Sequence, residues 1–298
     1  MLLRVVQYNV HRFLSGTNNT PTLSNIVRSL KQIRPDVLTL NECDTTVTPE
    51  AFTTLSTELN LPYVEFYGHV RERYGNAVLS RYPMTRKLST PLRGGTSLSF
   101  PPGTLKLNGD ISKVGETHRI VRGLLIVEIE HEVGPIHIGC THLDHIDGAQ
   151  RLIQLEHITE SFQELNKEGS TLVPSILCGD LNALQREDYT DIHWAKLEQR
   201  AKDHQWNPPS CGDLRQLTSH GFSDCGSPAH DVEHPQYTAP TEANALYRID
   251  YVWTKSTPLV AVNCRKHSPE TSVAWSDHYP LVVDLELSAK VSKGSCKL

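Results

Sequence analysis

Short apolar runs recur along the whole chain, outnumber the stretches with helical periodicity, and enclose those stretches in pairs. Such a pattern favours an α/β fold in which two sheets pack face to face with helices outside, rather than one parallel sheet. The opening sets the theme. Residues 2–8 read as a strand. Leu23, Ile26, Val27, Leu30 and Ile33 then recur at helical spacing until Pro35, and residues 37–40 read as a second strand. Further strands are predicted at 76–79, 123–129, 135–141, 173–178, 247–253, 259–264 and 281–287, with 123–129 and 135–141 forming a hairpin. One long helix is expected at 149–165, with Leu152, Leu155, Ile158 and Phe162 on one face, and another at 191–204. Residues 91–115 and 227–244 read as long loops, which inside a compact domain are often functional. Residues 1–289 are therefore expected to form one domain and 290–298 a polar tail.

Composition narrows the class. With 298 residues the chain can bury a sizeable core. It contains no apolar run of about 18 residues, so no transmembrane helix is expected. The N-terminal stretch lacks the zones of a secretory signal. A net charge of −5 disfavours tight non-specific binding to nucleic acid, though a local basic patch is compatible with it. The seven cysteines are an odd count without a Cys-x-x-Cys pair, and Cys43, Cys140 and Cys178 sit in apolar runs. Buried free thiols in a reducing compartment are expected, not disulfides or a zinc site. The expected location is intracellular, cytoplasmic or nuclear, and the expected state is a monomer. The final Cys296-Lys297-Leu298 is a relaxed form of a peroxisomal address.

Polar residues stand at the ends of the apolar runs. Asn9, Glu42, His142, Asp144, Asp180 and Asn182 each follow one, and Asp250 lies within Arg248-Ile249-Asp250-Tyr251-Val252. Strand ends in layered α/β proteins often converge on one rim. Carboxylates gathered there repel one another unless a cation sits among them. Oxygen donors without paired cysteines suit Mg²⁺ or Mn²⁺, and such an ion offsets the charge that grows on a phosphoryl oxygen during ester hydrolysis.

These residues carry a resemblance. Tyr8-Asn9-Val10, Leu40-Asn41-Glu42, Tyr74-Gly75-Asn76, Leu79-Ser80-Arg81-Tyr82-Pro83, Thr141-His142-Leu143-Asp144-His145, Gly179-Asp180-Leu181-Asn182, Arg248-Ile249-Asp250-Tyr251 and Ser276-Asp277-His278 stand in order along nearly the whole chain. The set resembles the endonuclease/exonuclease/phosphatase superfamily of DNase I-like metal-dependent phosphoesterases. The resemblance implies a four-layer α/β/β/α sandwich. It implies Glu42 as main metal ligand, Asn9 assisting and Asp277 as a further ligand. Asp180 would orient or deprotonate the attacking water, Asn182 would hold the phosphate, and His278 would share its charge, with Asp250 fixing the imidazole. His142 matches the place where DNase I-like members put a general acid. Arg122 looks like the strand arginine that supports the site, and Asn76 joins Arg122, Asn182 and His278 as an expected phosphate contact. His11 stands where abasic-site endonucleases carry an aspartate, which sets the chain apart from them. His145 and Asp147 read as the lead into the next helix.

The implied partner is a phosphate-ester substrate, with nucleic acid among the candidates. Tyr67, Arg71, Arg73 and Tyr74 form a short aromatic and basic stretch of the kind that stacks on bases. The Thr-Trp-Asn and Gly-Asp-Thr-Asn forms of tyrosyl-DNA phosphodiesterases are not matched. The leading expectation is nuclease-like hydrolysis of a phosphodiester. The alternatives are a phosphomonoesterase on a small or lipid-linked phosphate, such as an inositol phosphate, and an inactive binding module on the same scaffold.

Overall fold

The structure is a computed structural model describing residues 1–99, 117–167, 172–203, 208–226, 236–241, 246–255, 259–268 and 275–287. In chain order its elements are β1 (Leu2–Asn9), α1 (Leu23–Ile33), β2 (Val37–Asp44), α2 (Ala51–Leu59), β3 (Tyr63–Val70), β4 (Tyr74–Ser80), β5 (Met84–Pro91), β6 (Ser97–Ser99) and β7 (Thr117–Arg119). There follow β8 (Gly123–His131), β9 (Gly134–His142), α3 (Gly148–Lys167), β10 (Ser175–Asp180), α4 (Asp191–Asp203), α5 (Arg215–Ser219), β11 (Phe222–Asp224), β12 (Asp250–Lys255), β13 (Leu259–Lys266) and β14 (Leu281–Leu287).

Two six-stranded sheets form the centre, in the orders β13-β14-β1-β2-β4-β3 and β11-β12-β10-β9-β8-β5. Between them lie Val5, Val37, Val78, Leu125, Val127, Ile138, Cys140, Ile176, Cys178, Val252 and Val283. Ile26, Leu30 and Ile33 of α1 and Leu55 of α2 cover the outside of the first sheet. Leu155, Ile158, Phe162 and Leu165 of α3 cover the second. The layers thus run α/β/β/α. Gly139 makes the α3 contact possible, because a Cβ there would stand 2.7 Å from the Phe162 ring.

Side chains alternate across a strand, and this period decides where the polar residues go. In β1, Leu3 and Val5 face the sheet interface while Val6 and Tyr8 face the helices. The same alternation turns Gln7 and Asn9 inward. In β9, Ile138 and Cys140 lead to His142. In β10, Ile176 and Cys178 lead to Asp180. Strands β4 and β12 run antiparallel to β2 and β10, so Asn76 and Asp250 enter at the end where the others leave. The inner faces of β1, β9 and β10 are thus apolar along their length and polar at that one end.

Several expectations need correction. Leu152 is 43% exposed, and α3 instead buries Leu165 with Leu155, Ile158 and Phe162. Strand β12 starts at Asp250, not 247, because Tyr247 bridges to Ala239. The expected loop 91–115 contains β6, which pairs with β7. Its remainder from 100, and most of 227–244, lie outside the described residues, as do His204 and the tail with Cys296-Lys297-Leu298. The six described cysteines are free, and all but Cys211 are buried. No described helix is long and apolar enough to cross a membrane.

Candidate active site

Glu42 reaches the rim through an irregularity in β2. The register against β4 shifts between Leu40 and Cys43, and Glu42 has φ +59°. Such a bulge puts one extra residue into a strand and re-aims its side chains. Leu38, Leu40 and Cys43 all face the helices. Between them Asn41 and Glu42 both turn toward the second sheet, Asn41 to bond the Thr141 carbonyl and Glu42 to approach His142. A residue held in a sparsely populated conformation beside a polar cluster is a pointer to function.

Asn41 is the joint. It is fully buried. Its Oδ1 accepts from Gln7 Nε2 at 2.6 Å and from the Asp180 amide at 2.9 Å. Its Nδ2 donates to Asn76 Oδ1 and to the Thr141 carbonyl, both at 2.9 Å. The two sheets are therefore tied beneath the site. Asn41→Leu leaves a buried amide, a carboxamide oxygen and a carbonyl unpaired. It is expected to lower unfolding stability by about 3 kcal/mol or more, at roughly 1–3 kcal/mol per orphaned group. Denaturant titration checks this, and a loss under about 1 kcal/mol would remove Asn41 from that role.

Above the joint the carboxylates converge. Asn9 Nδ2 donates to Glu42 Oε1 at 3.1 Å and to Asp180 Oδ2 at 3.0 Å. Asp180 Oδ2 also faces two imidazoles, His142 Nε2 at 3.5 Å and His278 Nε2 at 3.6 Å. His278 Nδ1 lies 2.7 Å from Asp250 Oδ2. Burial, with Asp250 and Glu42 nearby, raises the pKa of Asp180 well above the usual carboxylate range. For His278, burial works toward the neutral form, but Asp250 and Asp180 outweigh it and hold the imidazole charged well above its ordinary pKa.

His142 is different. Burial, then the Arg122 charge and neighbouring imidazoles, push its pKa well down. Arg122 lies 3.1 Å from His142 Nδ1 and 3.1 Å from His145 Nδ1. A guanidinium only donates, so both Nδ1 atoms accept and the His142 proton resides on Nε2, facing Asp180. His142 is thus a neutral hydrogen-bond donor here, and the charged imidazole beside Asp180 is His278.

The sequence-predicted residues divide accordingly. Asn9, Glu42, His142, Asp180, Asp250 and His278 meet in one cluster. Asn182, at φ +47°, folds back so that its amide N–H donates to Asp180 Oδ1 and its Nδ2 to the Leu143 carbonyl. Asp277 is 33% exposed and approaches His11, whose Nδ1 is 3.5 Å from Asp277 Oδ1 and 3.8 Å from Glu42 Oε2. Asn76 is not at the surface. It has no exposed area, and its amide bonds Asn41 and the Gly123 carbonyl. Arg122 backs two imidazoles instead of facing the opening. Asp144 stands apart from the cluster and holds Thr96 and the turn before α3. Tyr74 is half-buried, and its hydroxyl lies against the Glu42 carboxylate. Gly179 lets β10 lie against β9, where a Cβ would meet the Thr141 carbonyl at 2.1 Å.

The donor set suits a hard divalent ion. Among the described residues no lysine or arginine pairs with Glu42, Asp180, Asp250 or Asp277, and the basic side chains that approach them are imidazoles. Glu42 and Asp277 are open enough to take an ion that keeps some of its water. Asp180, Asp250 and His278 also offer ligand atoms within 4.8 Å of one another. The 2.7 Å Asp250–His278 contact marks that trio as a proton-holding unit, because the charged imidazole has no lone pair for a metal.

A model of the Endonuclease/Exonuclease/phosphatase family matches residues 6–278. Among solved structures, the chain is similar to an endonuclease/exonuclease/phosphatase from Beutenbergia cavernae DSM 12333, with 19% identity, TM-score 0.60, and 96% of this chain and 72% of that one covered. It is similar to truncated TDP2 from Caenorhabditis elegans, with 15% identity, TM-score 0.62, and 96% and 98% covered. It is similar too to a functionally unknown conserved protein from Enterococcus faecalis V583, with 14% identity, TM-score 0.62, and 96% and 100% covered. At such identities the likeness is one of fold, the DNase I-like α/β sandwich. A search of curated proteins found no match.

Proposed function

We propose, from the premise that the chain belongs to the Endonuclease/Exonuclease/phosphatase family, that it hydrolyses a phosphodiester by divalent-metal-assisted attack of water. Family members are hydrolases of phosphoester bonds. The observation that carries the finer reading is the placement of Asp180 between the charged His278 and the neutral His142, with Glu42 beside them.

Glu42, with Asn9 and Asp277, would hold Mg²⁺ or Mn²⁺. When bound, the ion supplies positive charge against a phosphoryl oxygen. Asp180, its basicity raised by burial, takes the proton of the attacking water. His278, kept protonated by Asp250, presents Nε2–H to the oxygens on which charge develops. His142 donates from Nε2 without changing its own charge. The second Asn182 amide hydrogen, left free by the Leu143 contact, is available to a phosphoryl oxygen. A diester favours this site over a monoester on charge alone. The cluster is rich in carboxylates and poor in cations, and a phosphomonoester brings a charge of about −1.5 to −2.

The test is a panel of DNA, RNA, bis-p-nitrophenyl phosphate and inositol phosphates, with Mg²⁺ or Mn²⁺ and with chelator. Turnover of a diester that chelator abolishes and Mg²⁺ or Mn²⁺ restores is expected. Turnover of inositol phosphates alone would replace the reading by a phosphomonoesterase. A folded, metal-binding sample that turns over nothing would make the scaffold a binding module.

A further inference from the structure

We propose that His11 is a nitrogen ligand to the metal, so that the site prefers a first-row transition ion such as Mn²⁺ to Mg²⁺. The inference rests on the metal-dependent reading above and specifies the ion it uses.

His11 Nδ1 lies 3.8 Å from Glu42 Oε2 and 3.5 Å from Asp277 Oδ1. Two ligands of one small divalent ion stand no farther apart than about 4.2 Å, twice a bond of about 2.1 Å. Both separations fall inside that limit, while the two carboxylates stand wider apart and would have to draw together on the ion. The Glu42 oxygen facing His11 is not the one that accepts from Asn9, which uses Oε1. The imidazole and two carboxylates are each 20–33% exposed, so an ion reaches them from solvent. By contrast His142 and His278 are nearly buried and already engaged with Arg122 and Asp250.

The backbone fixes this position. His11, Arg12 and Phe13 have φ of +41°, +62° and +60°. Consecutive non-glycine residues there persist only when their surroundings impose the conformation. Those surroundings are visible: the His11 amide donates to Asn9 Oδ1, Arg12 Nε to Asp44 Oδ2, and Phe13 is buried under α1. The chain is thus bent back immediately after a carboxamide that bonds Glu42, and the bend delivers an imidazole to the open side of the carboxylates. Carboxylate and water alone suit Mg²⁺, whereas an imidazole shifts preference toward transition ions.

The experiment is Mn²⁺ bound to the full chain, with pulsed electron paramagnetic resonance to detect ¹⁴N coupling and competition by Mg²⁺ to give relative affinity. The expected result is a ¹⁴N coupling that is absent in both His11→Gln and His11→Asp, with the Mn²⁺-over-Mg²⁺ preference lowered at least about tenfold. Circular dichroism verifies the fold of each variant, and the wild-type coupling is informative without either. Bound Mn²⁺ without ¹⁴N coupling, or a coupling that survives in both variants, overturns the assignment of His11 and leaves the metal-dependent reading standing. A folded wild-type chain that binds no Mn²⁺ overturns both.

Discussion

Asp180→Asn is expected to lower kcat by about a hundred- to ten-thousand-fold, the range for loss of a positioned general base, while making the metal-free protein no less stable. The carboxamide keeps one oxygen, enough for one of the two N–H donors that Asn9 and Asn182 direct at separate carboxylate oxygens, and it cannot take a proton from water. Stability moves the other way, because Asp180 is buried among Glu42 and Asp250 and the fold disfavours its charge. Its folded pKa, about 7, lies above an unfolded value of ~3.9. The folded state therefore holds an extra proton between those values, and stability falls as pH rises through that window. The variant should lack this component of the fall. Paired measurements of kcat and of thermal unfolding in chelator at several pH values decide the matter. Activity within tenfold of wild type would remove Asp180 as the base. A variant much less stable than wild type at neutral pH would make the residue structural.

Arg248→Met is the second large effect, and it concerns the frame instead of the chemistry. Arg248 is 1% exposed. Its Nη1 bonds both Asp188 oxygens, at 3.2 and 3.0 Å, and its Nη2 bonds Asp224 Oδ1 at 2.6 Å. The guanidinium also lies 4.3 Å from the Tyr251 ring centroid. The residue thus fastens the segment after β10 to β11 and to the start of β12, which carries Asp250. Removing it strands two buried carboxylates, a loss of about 3–5 kcal/mol. Adding Asp188→Leu and Asp224→Leu should restore much of that, since a buried ion network replaced by packed apolar groups is often neutral. A single variant with unchanged denaturation midpoint, or a triple variant worse than the single, would refute this account.

Much of the frame was legible because period and burial agree. In α1 and β1 the apolar residues repeat at 3.6 and 2, and both elements stand where the repeats put them. What was missed lacked a period. Strand β3 is half-buried from Val64 to Val70, so its residues show no alternation. Strand β5 is a polar edge strand, and α2 buries only Ala51 and Leu55. In the site, the residues at strand ends were readable from position, but their partners were not. Asn41 and Gln7 were visible only as polar residues inside apolar runs. That signal marks a buried hydrogen bond without naming its partner across the second sheet. Nor does the sequence show that Asn76 bonds Asn41 and the Gly123 carbonyl, or that Arg122 lies against His142. His145 reads locally as a helix lead, because nothing nearby in sequence announces that Arg122, just before β8, reaches it.

The extra residue in β2 bears on any attempt to transplant this centre. In a strand of unbroken alternation, the neighbours 41 and 42 would point to opposite faces. Here both serve the same side, one as joint and one as ligand. Grafting the side chains alone onto a regular sandwich would therefore aim the glutamate at the helices, and no choice of rotamer would bring it back. The graft has to carry the inserted residue with it, so the smallest portable unit is a stretch of backbone with its defect, not a list of amino acids.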